Sequence, residues 1–303
     1  MQGAFLIKSD FIMNQKVINI EKNFDTSKVS WLKSGGKIKN LIKIYNINDI
    51  DEILTSSEYF NEQFLTIGNF SNLLIKSNGF NGVGLKLLGD FTQIIIEDES
   101  LLVGAGVLDN YFSKYCYQNS ITGFEFLHTI PGSIGGNIYM NAGCYGQEIK
   151  DKLLSVVFYD LVLKKHFEKP IYDLNFKYRR GFQQENTVIL YGRFKKEIGE
   201  KENIKKTMKE YEEKRNLSQP QRVNCCGSIF KNPENMNAWK LIKSSLSDSF
   251  YNGPVKLSKK HSNFFENDPN IEADLIEQFI INVQHKVKQK YNLVLDPELK
   301  IIG

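Results

Sequence analysis

The stretch from residue 131 to 143 limits this chain more than any other. Pro131-Gly132-Ser133-Ile134-Gly135-Gly136 puts three glycines into five residues beside apolar neighbours, and Asn141-Ala142-Gly143 follows closely. A plain turn needs one or two glycines. More than that suits a backbone held close to a ligand, where a side chain has no room, with a pure turn as the alternative.

The flanking sequence supplies a strand-rich frame. Residues 37–45 and 64–67 read as strands. Between them NINDIDEILTSS reads as a short helix capped by Asn46 or Asn48. Strand-like runs follow at 73–77, 83–88, 92–98 and 101–106, with glycine or polar residues between them. A helix is expected over 108–119 and further strands at 153–163 and 187–195. Residues 202–216 form a strongly charged helix that could link to a second module. Beyond it come a loop at 217–228, the helix NMNAWKLIK, a strand-like NFF and a helix from about 272 to 291. Ile276, Phe279, Ile280, Val283 and Val287 share one face of that last helix, a stripe for a core. A strand-like VLDPELKII ends the sequence. The expectation is an α+β protein whose last third is a smaller αβ module.

Composition narrows the function class. The 303 residues suit two domains, or one large domain with an appended module. They are 41% hydrophobic and 24% charged, enough for a sizeable core. No run approaches the roughly 20 apolar residues of a membrane helix. The start, MQGAFLIKSDFIMNQK, lacks the basic beginning and cleavage site of a signal peptide. A formal charge of +4 is too small an excess to argue for nucleic acid. Cys116, Cys144, Cys225 and Cys226 form no CxxC, and His128, His166, His261 and His285 are scattered, so no metal site is expected.

Three further clusters could carry chemistry. Gly68-Asn69-Phe70-Ser71-Asn72 follows the apolar run FLTI directly. Small residues after a strand can aim backbone N–H groups at a phosphate, although strand–turn–strand glycines are common. It is no dinucleotide fingerprint of the GxGxxG kind. Ser228 follows a glycine in a loop, ordinarily the place of a turn residue or cap, and no GxSxG elbow surrounds it. Glu298, in LDPEL, sits in what reads as an apolar terminal strand, where a carboxylate would be buried if it is not simply a surface glutamate.

Together the clusters match one family in order and spacing. Over about residues 27 to 303 the chain resembles the UDP-N-acetylenolpyruvoylglucosamine reductases, also called UDP-N-acetylmuramate dehydrogenases. The resemblance rests on WLKSGG at 31–36, the Gly68 loop, GFEFLHTIPGSIGGNIYMNAGCYG at 123–146 and Phe176-Lys177-Tyr178-Arg179. It continues through Arg215 with Gln219-Pro220, GSIFKNP at 227–233, AWKLI at 238–242, Ser258 with KHSNF at 260–264, and LDPELKIIG. No long insertion separates Tyr145 from Tyr178, which is similar to the shorter subtype.

The resemblance implies a two-part FAD-binding domain of the vanillyl-alcohol-oxidase type, over about 27–98 and 99–200. A substrate-binding module over 201–303 would complete it. It implies non-covalent FAD, with Gly68, Asn69, Ser71, Asn72, Pro131, Gly132, Ser133, Gly135, Gly136, Asn141, Ala142 and Gly143 around the cofactor. NADPH would donate hydride, and a UDP-sugar enolpyruvyl group would receive it. Hydride addition to an unsaturated acid builds negative charge beside its carboxylate. Arg179 would stabilise that charge, Ser228 would protonate the neighbouring carbon and Glu298 would complete the site with Arg179. Tyr178, Lys231 and Asn232 would hold the substrate, a lysine point charge suiting its diphosphate. A cytoplasmic monomer, with neither nucleic acid nor a membrane as partner, is the corresponding expectation.

Some positions depart from the family pattern. Phe70 replaces a glycine, although phenylalanine does not take positive φ cheaply. Gly181 stands where a serine is usual, Gly253-Pro254 where two glycines are, and Cys144 where an alanine is. The rival readings are a different flavoenzyme on the same fold, oxidising an alcohol or sugar, and a flavin-binding protein that has lost catalysis.

Overall fold

A computed structural model describes residues 19–59 and 61–303. The N-terminal run that argues against a signal peptide lies outside the described residues. The chain opens with strand β1 (Asn19–Asp25), β2 (Lys37–Ile44), helix α1 (Ile47–Thr55), β3 (Phe64–Ile67), β4 (Leu73–Ile75) and β5 (Phe80–Leu87). Four of these strands form a sheet in the order β1-β2-β5-β3. β2, β5 and β3 are mutually parallel and β1 closes one edge antiparallel. Asn46 caps α1 by accepting hydrogen bonds from the N–H groups of Asn48 and Asp49, while Asp49 reaches back to the Asn46 N–H. β1 went unread in the sequence because NIEKNFD shows no apolar alternation. Its strand state comes from pairing with β2 rather than from its own pattern.

The second sheet follows: β6 (Ile94–Ile96), β7 (Ser100–Gly104), α2 (Asp109–Gln118), α3 (Ile134–Met140), β8 (Gly143–Cys144), β9 (Gln147–Glu148), β10 (Leu153–Asp160), β11 (Lys165–Pro170) and β12 (Thr187–Lys195). Five of them are antiparallel neighbours in the order β11-β10-β12-β7-β6, and β8-β9 is a small hairpin. A shared core of Val103, Phe112, Phe124, Phe126, Ile138, Phe158 and Phe194 lies between this sheet and its helices, and Ile42, Val83 and Leu85 extend it to the first sheet. Two elements differ from the sequence reading. Residues 134–140 form a helix despite two glycines, because burial of Ile134, Ile138 and Met140 outweighs their poor propensity. β11 is a mostly exposed, charged edge strand, too polar to announce itself.

The last third holds α4 (Lys201–Ser218), α5 (Ala238–Ser245), β13 (Val255–Leu257), β14 (Phe265–Asn267), α6 (Ala273–Tyr291) and β15 (Lys300–Ile302). α4 lies against α2 and the 125–129 turn, with Tyr211 packed on the larger core. A separate core gathers Phe230, Ile242, Leu257 and Phe265 with the α6 stripe, of which Ile276, Ile280, Val283 and Val287 are buried and Phe279 partly so. β15 returns to pair in parallel with β4, Lys300 opposite Leu73. That pairing joins the last third of the chain to the first.

Candidate active site

Two loops built on strand ends face each other. β3 ends at Ile67, and the chain turns through Gly68–Asn72 into β4. The Asn69 side-chain amide donates to the Pro131 carbonyl at 3.0 Å and ties this loop to the glycine-rich one. A Cβ on Gly68 would sit 3.0 Å from Ser133 Oγ, so glycine keeps the gap between the loops open. In the second loop the N–H groups of Ile134 and Gly135 are spent on the carbonyls of Val107 and Ala105. Ser133 Oγ is buried with no partner among the described residues, whereas the Asn137 side chain faces the buried Asp109 carboxyl. Buried donors without acceptors are uncommon in a finished interior. The Ser133 hydroxyl, beside the gap at Gly68, fits an anionic, oxygen-rich group such as the diphosphate of FAD.

Phe70 takes φ +52°, the strained conformation that glycine would adopt freely. The strain expected at this position is present, and burial of the Phe70 side chain is set against it. Its ring is 8% exposed, stacks on Phe24 at 6.0 Å and joins a small core with Ile38, Leu41, Ile67 and Ile75. Gly181 has an equally local cause. A Cβ there would land 1.8 Å from the Ile138 carbonyl oxygen, because Gly181 and Phe182 donate to the carbonyls of Tyr139 and Ile138. Gly253 takes φ +99°, and the Pro254 carbonyl accepts from Asp268 N–H at 2.8 Å.

Tyr178 and Arg179 occupy the tip of a turn closed by reciprocal hydrogen bonds between Lys177 and Arg180, at 2.8 and 3.0 Å. Arg179 has φ +53°, a strained tip of the kind that collects at functional sites. Its guanidinium donates from Nε to Glu298 Oε1 at 2.7 Å and from Nη2 to the Gly143 carbonyl at 2.8 Å. It lies 5.0 Å from the Tyr178 ring centre. Both side chains of the ion pair are 18% exposed. Burial pushes the Glu298 carboxyl above its ordinary range, against the downward pull of Arg179 and, more weakly, Lys231.

Glu298 is correctly placed in sequence but not in a strand. It precedes β15, held by its N–H to the Ile229 carbonyl at 2.8 Å and by the Asn72 amide to its own carbonyl at 3.0 Å. The neighbouring Phe230–Pro297 bridge and the Lys231 N–H to the Asp296 carbonyl run the 228–231 segment alongside it. Ser228 is therefore one residue from a backbone bonded to Glu298. Its half-buried hydroxyl has no hydrogen bond among the described residues. Lys231 pairs with Asp296 at 2.7 Å. The Asn232 N–H reaches the Tyr178 hydroxyl at 3.4 Å, while its Oδ1 accepts from Ala238 N–H at the start of α5.

Residues from all three stretches of chain thus meet around Arg179 and Glu298: Gly143, Tyr178, Asn232 and Lys231, with Asn72 behind and Ser228 next in sequence to Ile229, whose carbonyl is bonded to the Glu298 N–H. The Gly68–Ser133 pair of loops adjoins them through Asn72. Asn141 is different. It is fully buried, and its amide is committed to Glu148 Oε2 and the Lys177 carbonyl, so it shapes the Arg179 turn. Gly143 packs against Gln147 in the hairpin and offers its carbonyl to Arg179. Ala142 donates its N–H to the Asn137 carbonyl, and Gly136 is exposed on α3.

Two residues that the sequence did not single out support the site. Asn263 clamps Phe230, accepting from its N–H at 3.0 Å and donating to its carbonyl at 2.8 Å, which fixes the Ser228 loop. The KHSNF string contained it, but nothing local marked it. Asp109 starts α2 with its carboxyl fully buried beside Gly132. Burial pushes that carboxyl up to about 8, against smaller opposing pulls from the Asn137 side chain and the Gly132 backbone. It therefore sits neutral beneath the glycine-rich loop at neutral pH. Burial also raises the Cys144 thiol to about 11 and the Cys226 thiol well up, so neither is a thiolate nucleophile. Among the described residues no three His, Cys, Asp or Glu side chains gather as a metal site.

Comparison with known proteins agrees with this layout. Residues 39–163 match the family model for an FAD binding domain, and residues 219–302 match that for the C-terminal domain of UDP-N-acetylenolpyruvoylglucosamine reductase. The enzyme of that name from Pelagibacter ubique is 34% identical over 95% of this chain and 96% of its own length. Its counterpart from Wolbachia pipientis subsp. Culex pipiens is 35% identical over 93% and 95%. In fold, the crystal structure of UDP-N-acetylenolpyruvylglucosamine reductase from Thermus caldophilus superposes with a TM-score of 0.79 at 24% identity, covering 94% of this chain and 99% of that one. With the relatives matched nearly end to end, and with a flavin-domain match ahead of the reductase-specific C-terminal one, the chain belongs to the UDP-N-acetylenolpyruvoylglucosamine reductase family.

Proposed function

We propose how the residues of this chain share out the family's reaction, the FAD-dependent reduction of UDP-N-acetylglucosamine enolpyruvate to UDP-N-acetylmuramate in peptidoglycan synthesis. The observation that carries the proposal is the Arg179–Glu298 pair, two residues 119 positions apart brought to 2.7 Å on a strained turn. When bound, FAD supplies the hydride, taken from NADPH and delivered to the terminal carbon of the enolpyruvyl group. Arg179 faces the substrate carboxylate and stabilises the charge that builds there as the hydride arrives. Glu298 and the Gly143 carbonyl fix the guanidinium, so little reorganisation accompanies the reaction. Ser228 Oγ, unengaged by the protein, gives its proton to the adjacent carbon. Tyr178, Lys231 and Asn232 hold the UDP moiety, Lys231 exchanging Asp296 for a phosphate oxygen.

In this proposal the residues at 68–72 and 131–143 cradle the diphosphate and line the flavin. The two sheets, about residues 27–200, hold the cofactor. Residues 201–303, whose first helix leans on the flavin half, enclose the substrate. The proposal also takes the protein as a cytoplasmic monomer whose partners are NADPH and the UDP-sugar. No helix of the described residues is long and apolar enough to cross a membrane.

Ser228→Ala tests the assignment. Reduction of the bound flavin by NADPH needs no proton from this hydroxyl and should proceed at the wild-type rate in stopped flow. Reoxidation by the enolpyruvyl substrate should slow by about 10²- to 10⁴-fold, the usual worth of general acid catalysis. Equal slowing of both half-reactions would mean general damage at the flavin, and an unchanged second half-reaction would leave Ser228 a turn residue.

A further inference from the structure

Lys86 sits on β5 opposite Ile67, the last residue of β3, and its side chain runs along the sheet toward the loop that follows. There Nζ donates a hydrogen bond to the Gly68 carbonyl and lies 5.9 Å from the Phe70 ring centre. The residue is partly buried. Among the described residues no carboxylate comes within ion-pair distance of it, whereas Lys39 and Lys43 on the neighbouring β2, and Lys76 just beyond β4, each hold a glutamate at 2.6 to 2.8 Å. An ammonium carries three donors and a full charge. One neutral carbonyl and a ring face leave much of that unbalanced, and desolvation alone lowers its affinity for the proton. Beside the same Gly68 lies the buried, unpartnered hydroxyl of Ser133.

A partly buried cation without an anion and a buried hydroxyl without a partner, both beside one glycine, call for the same missing chemistry. We propose that Lys86 is a cofactor-positioning residue whose ammonium is the counter-ion of the FAD diphosphate at the Gly68–Asn72 loop. The proposal rests on the reading that the diphosphate lies between the two glycine loops. It also gives Phe70 a task. Its ring shields the ammonium from water, which strengthens attraction to a phosphate. A lysine lost within the apolar run VGLKLL thereby becomes part of the cofactor site.

The alternative is that Lys86 is a strap, holding the Gly68 carbonyl with no part in binding. The two roles differ in sign. Apoprotein of wild type, K86M, K86R and Gly68→Val is titrated with FAD and separately with riboflavin, which has no phosphate, and its unfolding midpoint is measured. Loss of a charge-assisted contact to phosphate should weaken FAD binding of K86M roughly 10- to 100-fold and flatten its salt dependence. Riboflavin affinity should not change. K86R should keep most of the FAD affinity. The K86M apoprotein should unfold at the wild-type midpoint or above it, because a partly buried charge with no ion partner has been removed. Wild-type FAD affinity in K86M overturns the proposal, and a lowered apoprotein midpoint with it would establish the strap. If Gly68→Val weakens FAD while K86M does not, the loop still cradles the phosphates and only the role of Lys86 fails. If neither variant changes FAD affinity, the location of the diphosphate fails with it.

Discussion

Replacing Phe70 with glycine sets two opposing effects against each other. Glycine relieves the left-handed backbone at φ +52°, worth about 1–2 kcal/mol. Removing a ring that is 8% exposed costs more, since a buried phenylalanine cut to alanine loses about 3–5 kcal/mol and glycine adds about 0.5–1 kcal/mol of backbone entropy to the loss. The stack on Phe24 disappears as well. The net expectation is a destabilisation of about 1.5–5 kcal/mol. Urea unfolding of the apoprotein, followed by far-ultraviolet circular dichroism, would read this as a lower midpoint with an unchanged slope. Phe70→Leu, which keeps most of the burial and all of the strain, should fall in between. A Phe70→Gly protein as stable as wild type would mean that strain outweighs packing at this loop, and the account of Phe70 as a core residue would be wrong.

Gly181→Ser, which restores the residue usual in the family, should disturb the Arg179 turn because its Cβ meets the Ile138 carbonyl at 1.8 Å. We expect a lower thermal midpoint and slower turnover, and a neutral result would refute the close approach. Asp109→Asn probes the buried acid. The unfolded carboxyl ionises near 3.8 while the folded one holds its proton to about 8, so its contribution is complete below 3.8 and drains away as pH rises toward 8. The variant should therefore lose less thermal stability between pH 5 and pH 9 than wild type does, and parallel curves would sink the assignment. Glu298→Gln leaves the Arg179 charge without its partner. Its KM for the enolpyruvyl substrate and its kcat should both suffer while acid-released FAD stays stoichiometric, and loss of flavin instead would move Glu298 into the cofactor site.

The readable parts of this chain were those whose cause is local. Asn46 announces α1 because its cap is made within three residues, and the stripe from Ile276 to Val287 announces α6 because its period is helical. The order of motifs was enough to place Arg179, Ser228 and Glu298 in one family. What stayed hidden depends on distant partners. β1 is a strand because β2 lies beside it, and α3 is a helix because Ile134 and Ile138 are buried. Asp109, Asn263 and Lys86 look ordinary until the fold brings Gly132, Phe230 and Gly68 next to them. Phe70 looked like a defect because its compensating neighbours, Phe24 and Lys86, lie 46 and 16 residues away (70 − 24 and 86 − 70).

The parallel pairing of β15 with β4 has a consequence for the order in which this molecule becomes competent. Contacts between residues 73 and 300 are slow to form, because the closure entropy comes before any reward. The loop at 131–136 is bonded to Val107 and Ala105 and can assemble earlier, from nearer neighbours, whereas Asn72, at the end of the other loop, is bonded to residues 298 and 300. Glu298 arrives only when that final pairing is made, and with it the anchor of Arg179. A chain caught short of that step lacks the carboxylate that holds Arg179 in place. On the function proposed above, activity therefore reports that the whole polypeptide has closed.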